Sequence, residues 1–534
     1  MERSDRRRCL ADHAGYGAAA FRKGSSAADL TVSGEKRQGL TLGGLSKRFA
    51  GDFGFKALTE LVSAVFGLYC FAILSRLLGD SGEYAVLNQT VAMSTLLVPL
   101  LLVRANTALC VFVPGDKDQS RVRSRFFMTL LVALLCCGML CIPAYIFNQN
   151  ITLFLWGDTS YSHLVPLLVL YFSVMALSSL CQSFLQATGH QKKANVFVLL
   201  RCGFNATGFT LLAFGHSGDA TVLRQALWIY ILTESILFVA QFILLLVDWR
   251  GVRLSLRAAD IRPLYRYALP LLPVTVMAWL NSFIGRFLLN HLIQDELRSA
   301  SIYGFYDALT SRAFLVNAVL VSTVFPYIAK AWNQHDRKQV IGYLHKSFNI
   351  GLFAAVPILF GIVLICPTLI HWMADGNYPT DRTLLLVLCL AQLCQMLYMN
   401  FSYLIDLSRQ SQWYNSIFAV SCAVNVLLCL VLVPEIGYVG AAVGLLCSYG
   451  LQLAIAAGIS YHLAGISVAP SLLQAAKAVF SACVMYAVCH LLYYRGQVQP
   501  VGGVWECLLT VVTGVVVYFA CQWLLCRLTK TKLI

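Results

Sequence analysis

The stretch Phe126-Phe-Met-Thr-Leu-Leu-Val-Ala-Leu-Leu-Cys-Cys-Gly-Met-Leu-Cys-Ile-Pro-Ala-Tyr-Ile-Phe147 carries no charged side chain. A helix needs about 20 such residues to cross the hydrocarbon layer of a bilayer. Backbone amides and carbonyls find no water at that depth, so the segment must pair them internally, as a helix does. Immediately before it stand Lys117, Arg121, Arg123 and Arg125, a basic cluster of the kind retained on the cytoplasmic side. Outward from this segment the pattern repeats. Spans are predicted at 56–77, 84–106, 126–147, 163–187, 196–214, 224–247, 267–290, 304–328, 348–370, 383–407, 415–433, 439–463, 474–494 and 505–527. With 58% hydrophobic and 12% charged residues in 534, a water-soluble fold is excluded. Alternating ten-residue strands, the mark of a β-barrel, are absent from the pattern.

Further basic clusters fall in alternate loops: Lys192 and Lys193; Arg250, Arg253, Arg257, Arg262 and Arg266; Lys330, Arg337, Lys338 and Lys346. The intervening loops hold Arg298, Arg382 and Arg495 beside acids such as Asp158, Asp219, Asp295 and Asp375. The asymmetry predicts a multi-pass plasma (inner) membrane protein with both termini cytoplasmic. It also accounts for the net charge of +15 through anionic lipid headgroups, with no nucleic acid as partner. Residues 1–49 are polar and rich in Arg, Gly, Ser and Ala, and read as a disordered basic cytoplasmic tail. Most of the 19 cysteines fall inside spans without CxxC spacing. They act there as small apolar residues, so neither a metal nor another cofactor is expected.

Two related halves are visible. Ala187-Thr-Gly-His-Gln-Lys-Lys-Ala-Asn195, followed by Asn205, parallels Leu407-Ser-Arg-Gln-Ser-Gln-Trp-Tyr-Asn415, followed by Asn425, and both Asn pairs are offset by 220 residues. The offset crosses six spans, an even number, so the halves share one orientation. The expected architecture is an all-α polytopic membrane protein. It has about fourteen transmembrane helices in two parallel six-helix repeats, 50–247 and 248–466, plus two extra helices in 467–534. In transporters of that plan the substrate path runs between the repeats.

Polar groups inside spans are costly, at about 2.5–3.5 kcal/mol for a charge at mid-helix, and persist where they face a partner or a wet cavity. The basic candidates for substrate binding are Arg104, Arg201, Arg286 and Arg312; the acidic candidates for ion coupling are Glu60, Glu234, Asp307 and Asp406. Lys56 and Glu60, four apart, also suit a surface pair. Arg104 and Arg201 lie close enough to span ends to snorkel. Arg286, in Asn281-Ser-Phe-Ile-Gly-Arg-Phe-Leu-Leu-Asn290, and Asp307, one turn after Tyr303, lie toward the same membrane face and are expected to meet. Glu234 sits mid-span with no Lys or Arg nearby in sequence. Asn88-Gln-Thr90 and Asn205-Ala-Thr207 are glycosylation sequons placed inside spans.

No phosphate loop, HExxH helix or GxSxG elbow occurs. An enzyme is not expected, and no catalytic residue is assigned. Leu74-Ser-Arg-Leu-Leu-Gly79 with Tyr84, Tyr267-Ala-Leu-Pro270 with Arg286, and Val433-Pro-Glu-Ile-Gly437 leading to Gly440-Ala-Ala442 carry a resemblance. In this order the chain resembles the Wzx-type polysaccharide flippases of the multidrug/oligosaccharidyl-lipid/polysaccharide exporter superfamily. The resemblance covers about residues 50–465. It implies a MATE-like fold and translocation of a polyprenyl-pyrophosphate-linked oligosaccharide between leaflets, with polysaccharide polymerase and assembly proteins as partners. The alternatives are a lipid II-type precursor flippase and a cation-coupled antiporter. Such proteins often carry an Asp-Arg pair in the seventh span; here Gly285 precedes Arg286. Trp279, Tyr303, Tyr306 and Tyr398 are candidates to stack on sugar faces.

Overall fold

A computed structural model describes residues 42–529 apart from short segments, the longest at 216–221, 250–257, 315–323, 465–471 and 495–503. The first half contains α1 (Leu42–Leu78), α2 (Gly82–Leu101), α3 (Ala105–Phe112), α4 (Gln119–Ile146), α5 (Asn148–Trp156), α6 (Val165–Ala187), α7 (Gln191–Gly215) and α8 (Val222–Asp248). The second contains α9 (Ala258–Ala268), α10 (Leu272–Leu292), α11 (Arg298–Ala313), α12 (Arg337–Ala374), α13 (Arg382–Leu407), α14 (Gln412–Ile436) and α15 (Tyr438–Ala464). The chain closes with α16 (Leu472–Cys489) and α17 (Val504–Leu528). Among the described residues thirteen helices are long and apolar enough to cross a membrane. The chain is thus a multi-pass membrane protein. The remaining predicted span, 304–328, begins within α11 and runs on into residues outside the described ones.

Local chemistry sets the helix ends. Asp118 caps α4 by accepting from the amides of Ser120 at 3.0 Å and Arg121 at 3.3 Å. Gly437 joins α14 to α15 at φ 61°, a left-handed conformation that glycine adopts without a Cβ clash, and its amide returns to the Val433 carbonyl. The lipid-facing side of α4 shows Leu131, Leu134, Leu135 and Met139 to the outside, as hydrocarbon solvent allows.

The pairing of helices repeats across the six-span offset. α1 packs on α7 as α10 packs on α14, and α6 on α8 as α13 on α15. The two extra helices, α16 and α17, pack on each other and on α12, at the flank of the second half.

Several boundaries differ from the sequence reading, among them the starts of α4 at Gln119 rather than 126 and of α12 at Arg337 rather than 348. The predicted span 84–106 is broken: α2 stops at Leu101, and Val103 and Arg104 take φ of 49° and 56° before α3 begins. Pro99, two residues before the stop, removes a helical donor, and the Arg104 amide bonds instead to the Pro99 carbonyl at 2.8 Å. The predicted start at 267 lies inside α9, which Pro270 and Pro273 separate from α10 through the 3-10 turn Leu269–Leu271. At the other end of the first span, α1 already runs from Leu42, so residues 42–49 of the expected tail are helical. Residues 1–41 lie outside the described ones.

Candidate functional site

Two arginines, Arg286 and Arg312, lie at the contact between the halves, and a third, Arg201, lies within the first half, each in a different electrostatic setting. Arg286 of α10 is paired with Asp307 of α11, their side chains 6% and 10% exposed. A second guanidinium nitrogen donates to Asn88 Oδ1 of α2 at 3.2 Å, and the guanidinium lies 5.0 Å from the Phe283 ring centre. The expected meeting of Arg286 and Asp307 therefore occurs, and Asn88 carries it across to the first half. Glycine makes this possible twice. A Cβ on Gly304 would stand 2.3 Å from Asn88 Nδ2, so the bare backbone of α11 lets Asn88 lie on it. Gly285 packs on Ala441 of α15, where a Cβ would come within 3.2 Å. That position leaves no room for a carboxylate, and the acid reaches Arg286 from α11 instead.

Arg201 and Glu234 form the second pair. Arg201 Nε lies 2.6 Å from Glu234 Oε1, Nη2 donates to Oε2 at 3.0 Å, and Nη2 also reaches Ser178 Oγ at 3.2 Å. Arg201 thus turns inward rather than snorkelling. Glu234, isolated in sequence, is buried against a cation supplied by α7.

Arg312 of α11 is the exception. It lines a cavity of about 170 Å3 together with Asn88, Asn205, Tyr84 and Tyr230. One nitrogen donates to the Ala308 carbonyl at 3.1 Å, and the guanidinium lies 5.0 Å from the Phe71 ring centre. Among the described residues no carboxylate forms an ion pair with it.

The walls of this chamber have a second side. On α1, Gly67, Cys70, Phe71 and Leu74 face the chamber, while Leu68, Tyr69, Ala72 and Ile73 face an apolar groove of about 870 Å3. On α11, Ala308 and Arg312 face the chamber, and Leu309 and Ala313 face the groove. The far wall of the groove is built by α12, α16 and α17. A two-helix partition therefore separates a chamber that holds Arg312, Asn88 and Asn205 among apolar walls from a hydrocarbon-like trough. Phe71 of α1 and Phe305 of α11 close the partition with ring centres 4.9 Å apart.

On the face opposite the basic loops, α1 is tied to α12. Ser75 and Arg76 at the end of α1 donate to the Met373 carbonyl at 3.1 and 3.3 Å, and Arg76 also to that of Trp372. These are carbonyls of the last turn of α12, where a cation suits the helix dipole.

The other expected residues lie elsewhere. Arg104 is half-buried at the break before α3, away from the chamber. Glu60 is half-buried toward the basic end of α1, and Lys56 is exposed without forming an ion pair with it. The side chain of Asp406 lies outside the described residues. The four aromatic candidates for sugar stacking are buried in packing: Trp279 donates to the Ala92 carbonyl at 2.8 Å, Tyr306 to that of Pro379 at 2.7 Å, and Tyr303 and Tyr398 are 1% and 3% exposed. Asn88 and Asn205 read in the sequence as sequons inside spans, and Asn205 also as a marker of the repeat, but not as residues of this chamber.

Comparison with known proteins places this geometry. The family described as polysaccharide biosynthesis protein matches residues 50–332. The probable low-salt glycan biosynthesis flippase Agl15 of Haloferax volcanii is 19% identical over 254 residues. That match takes in 45% of this chain and 54% of that protein, so the chain spans about half the length of that relative. Among solved structures, the lipid II flippase MurJ in an inward closed conformation superposes with a TM-score of 0.69 at 14% identity, over 88% of this chain and 98% of that one. An inward-facing multidrug resistance MATE family transporter of the MOP superfamily gives 0.60 at 11% identity, over 78% and 100%. The fold is thus of the MurJ and MATE kind.

Proposed function

The chain belongs to the polysaccharide biosynthesis protein family, and from that premise we propose that it moves a polyprenyl-pyrophosphate-linked oligosaccharide from the inner to the outer leaflet. The observation that carries the reading is the partition of α1 and α11, with an arginine that has no carboxylate partner among the described residues on one side and an apolar trough on the other. A lipid-linked glycan has the same two-sided chemistry. Its diphosphate is strongly rejected by hydrocarbon, while its tail has no reason to leave it. Arg312 offers a permanent cation with a forked donor set suited to phosphate oxygens. The groove guides the tail; lipid is as apolar as the groove, so it contributes orientation rather than affinity.

The chamber, at about 170 Å3, is smaller than the roughly 300–1,000 Å3 usual for ligand pockets. This is therefore a closed state, and the headgroup enters when the halves rock and α1 parts from α11. We assign 50–247 and 248–466 as the rocking halves, with 467–534 carried on α12, and the basic face with both termini to the cytoplasm of an inner-membrane protein. Polymerase and assembly proteins would take the glycan on the far side. With Glu234 and Asp307 each committed to an arginine, Glu60 is the described candidate carboxylate left for coupling to an ion gradient. A cation antiporter would be expected to present an unpaired acid, not Arg312, to its cavity.

The test is complementation of a deletion strain with wild type, Arg312→Lys and Arg312→Ala. The expected result is full, partial and no restoration of surface polysaccharide, with lipid-linked repeats accumulating on the inner face. Normal surface glycan from Arg312→Ala at wild-type protein levels would end the assignment of Arg312. Accumulated peptidoglycan precursor with lysis would point to a lipid II-type substrate instead.

A further inference from the structure

The segment between α12 and α13, on the face opposite the basic loops, has a buried side and an open side. On the buried side Tyr378 stacks on Phe305, ring centres 4.2 Å apart and planes 16° apart, and its hydroxyl donates to the Gly79 carbonyl at the corner after α1. The Tyr306 hydroxyl pins the same segment by donating to the Pro379 carbonyl and accepting from the Asp381 amide, both at 2.7 Å. Asp381 in turn caps α13 through the Leu384 amide at 3.0 Å. On the open side these fixed residues wall a polar cavity of about 610 Å3, lined among others by His371, Thr380, Asp381, Arg382, Thr383 and Tyr438.

We propose that this cavity is a saccharide-binding site on the outward face, separate from the cationic chamber, that holds the glycan part of the substrate once it has crossed. The proposal rests on the flippase reading for the identity of its ligand. Its volume lies within the usual range for small-molecule pockets. Among the described residues its charges balance, with one carboxylate in Asp381 and one guanidinium in Arg382. A site for a phosphate would carry cation in excess, as the chamber does. What the lining offers is a mixture of donors and acceptors, two threonine hydroxyls, a carboxylate, an imidazole and an arginine fork, which matches a neutral polyol. Tyr438, half-buried at the start of α15, adds a ring with an apolar face and a polar tip for a sugar ring to lie on. Arg382 is exposed and forms no ion pair among the described residues, so its donors face the cavity unspent. The walls also touch the outer closure. Tyr378 holds the α1 corner, so a saccharide seated here steadies the segment that keeps that face shut behind the departing product.

The experiment is calorimetric titration of the full chain in lipid nanodiscs. The probe is the lipid-free oligosaccharide released by mild acid from the host's own lipid-linked pool. Saturable binding is expected for wild type. Arg382→Ala and Tyr438→Ala should each weaken it at least about fivefold, the value of one hydrogen bond or ring contact, with unchanged melting temperature. Inorganic phosphate should not compete. No saturable binding, undiminished binding by both variants, or displacement by phosphate would overturn the proposal. Surface polysaccharide in the deletion strain reports on flipping separately: if it is normal while the titration succeeds, the saccharide site stands and its place in flipping falls.

Discussion

Replacing Asp307 by Asn keeps shape and removes charge, and it should unlock the junction of α2, α10 and α11. In the native protein the pair is 6% and 10% exposed, so water screens it little. Removing one partner of such a pair strands the other charge, at a cost of about 3–5 kcal/mol. Two residual acceptors soften the loss: the new amide oxygen, and Asn88 Oδ1 at 3.2 Å. Together they return about 1 kcal/mol. The net is about 2–4 kcal/mol, or roughly 30- to 700-fold in the opening equilibrium at 1.4 kcal/mol per decade. Hydrogen–deuterium exchange of peptides from α11, with the protein in nanodiscs, reads that equilibrium directly. Asp307→Asn should exchange faster by that factor. The double variant Arg286→Met with Asp307→Leu, which removes both charges and keeps the bulk, should return to within about fivefold of wild type. If Asp307→Asn exchanges as wild type does, the pair is no latch. If the double variant is as fast as the single, packing rather than stranded charge explains the effect.

Other substitutions probe the neighbouring contacts. Gly304→Ala puts a methyl where Asn88 Nδ2 lies 2.3 Å away, pushing Asn88 off Arg286. It should destabilise by about 1–2 kcal/mol in wild type but much less in an Asn88→Ala background, a cycle readable by the same exchange measurement. Glu234→Gln strands Arg201, whose side chain is 24% exposed, so a smaller loss of about 1–2 kcal/mol is expected once partial screening is allowed for. The pH profile of transport should stay unchanged, and a shifted profile would make Glu234 a coupling group after all. Arg76→Gln removes the cation from the last turn of α12 and should raise labelling of far-face residues by an impermeant reagent; unaltered labelling would show that the closure stands without it.

The spans were legible because membrane solvent writes them as composition, and the repeat because two Asn pairs kept one offset. Arg286 and Asp307 could be matched because they lie toward the same membrane face on consecutive spans. Arg201 and Glu234 could not, since 33 residues and a helix reversal separate them and nothing local marks the pairing. The same limit hid the difference that matters most: four arginines look alike in sequence, and only the placement of carboxylates tells Arg312 from Arg201 and Arg286. Pro99 was the visible sign of the break at Val103 and Arg104, overridden by an unbroken run of hydropathy. The aromatic residues misled because a ring near a span end suits a sugar, an interface or a core equally well. Tyr306 serves the core while its hydroxyl serves the loop.

The partition has one leaf, α1, in the first half and the other, α11, in the second. On the proposed reading a bulky amphiphile would pass through a seam that exists only while the halves part, with the Phe71 and Phe305 rings meeting again behind it. A fixed window of the same width would be a standing leak for protons and metal ions in an energised membrane. On the proposed flippase reading, a doorway built from two doors would let the cell thread a very large polar cargo through its permeability barrier without discharging it.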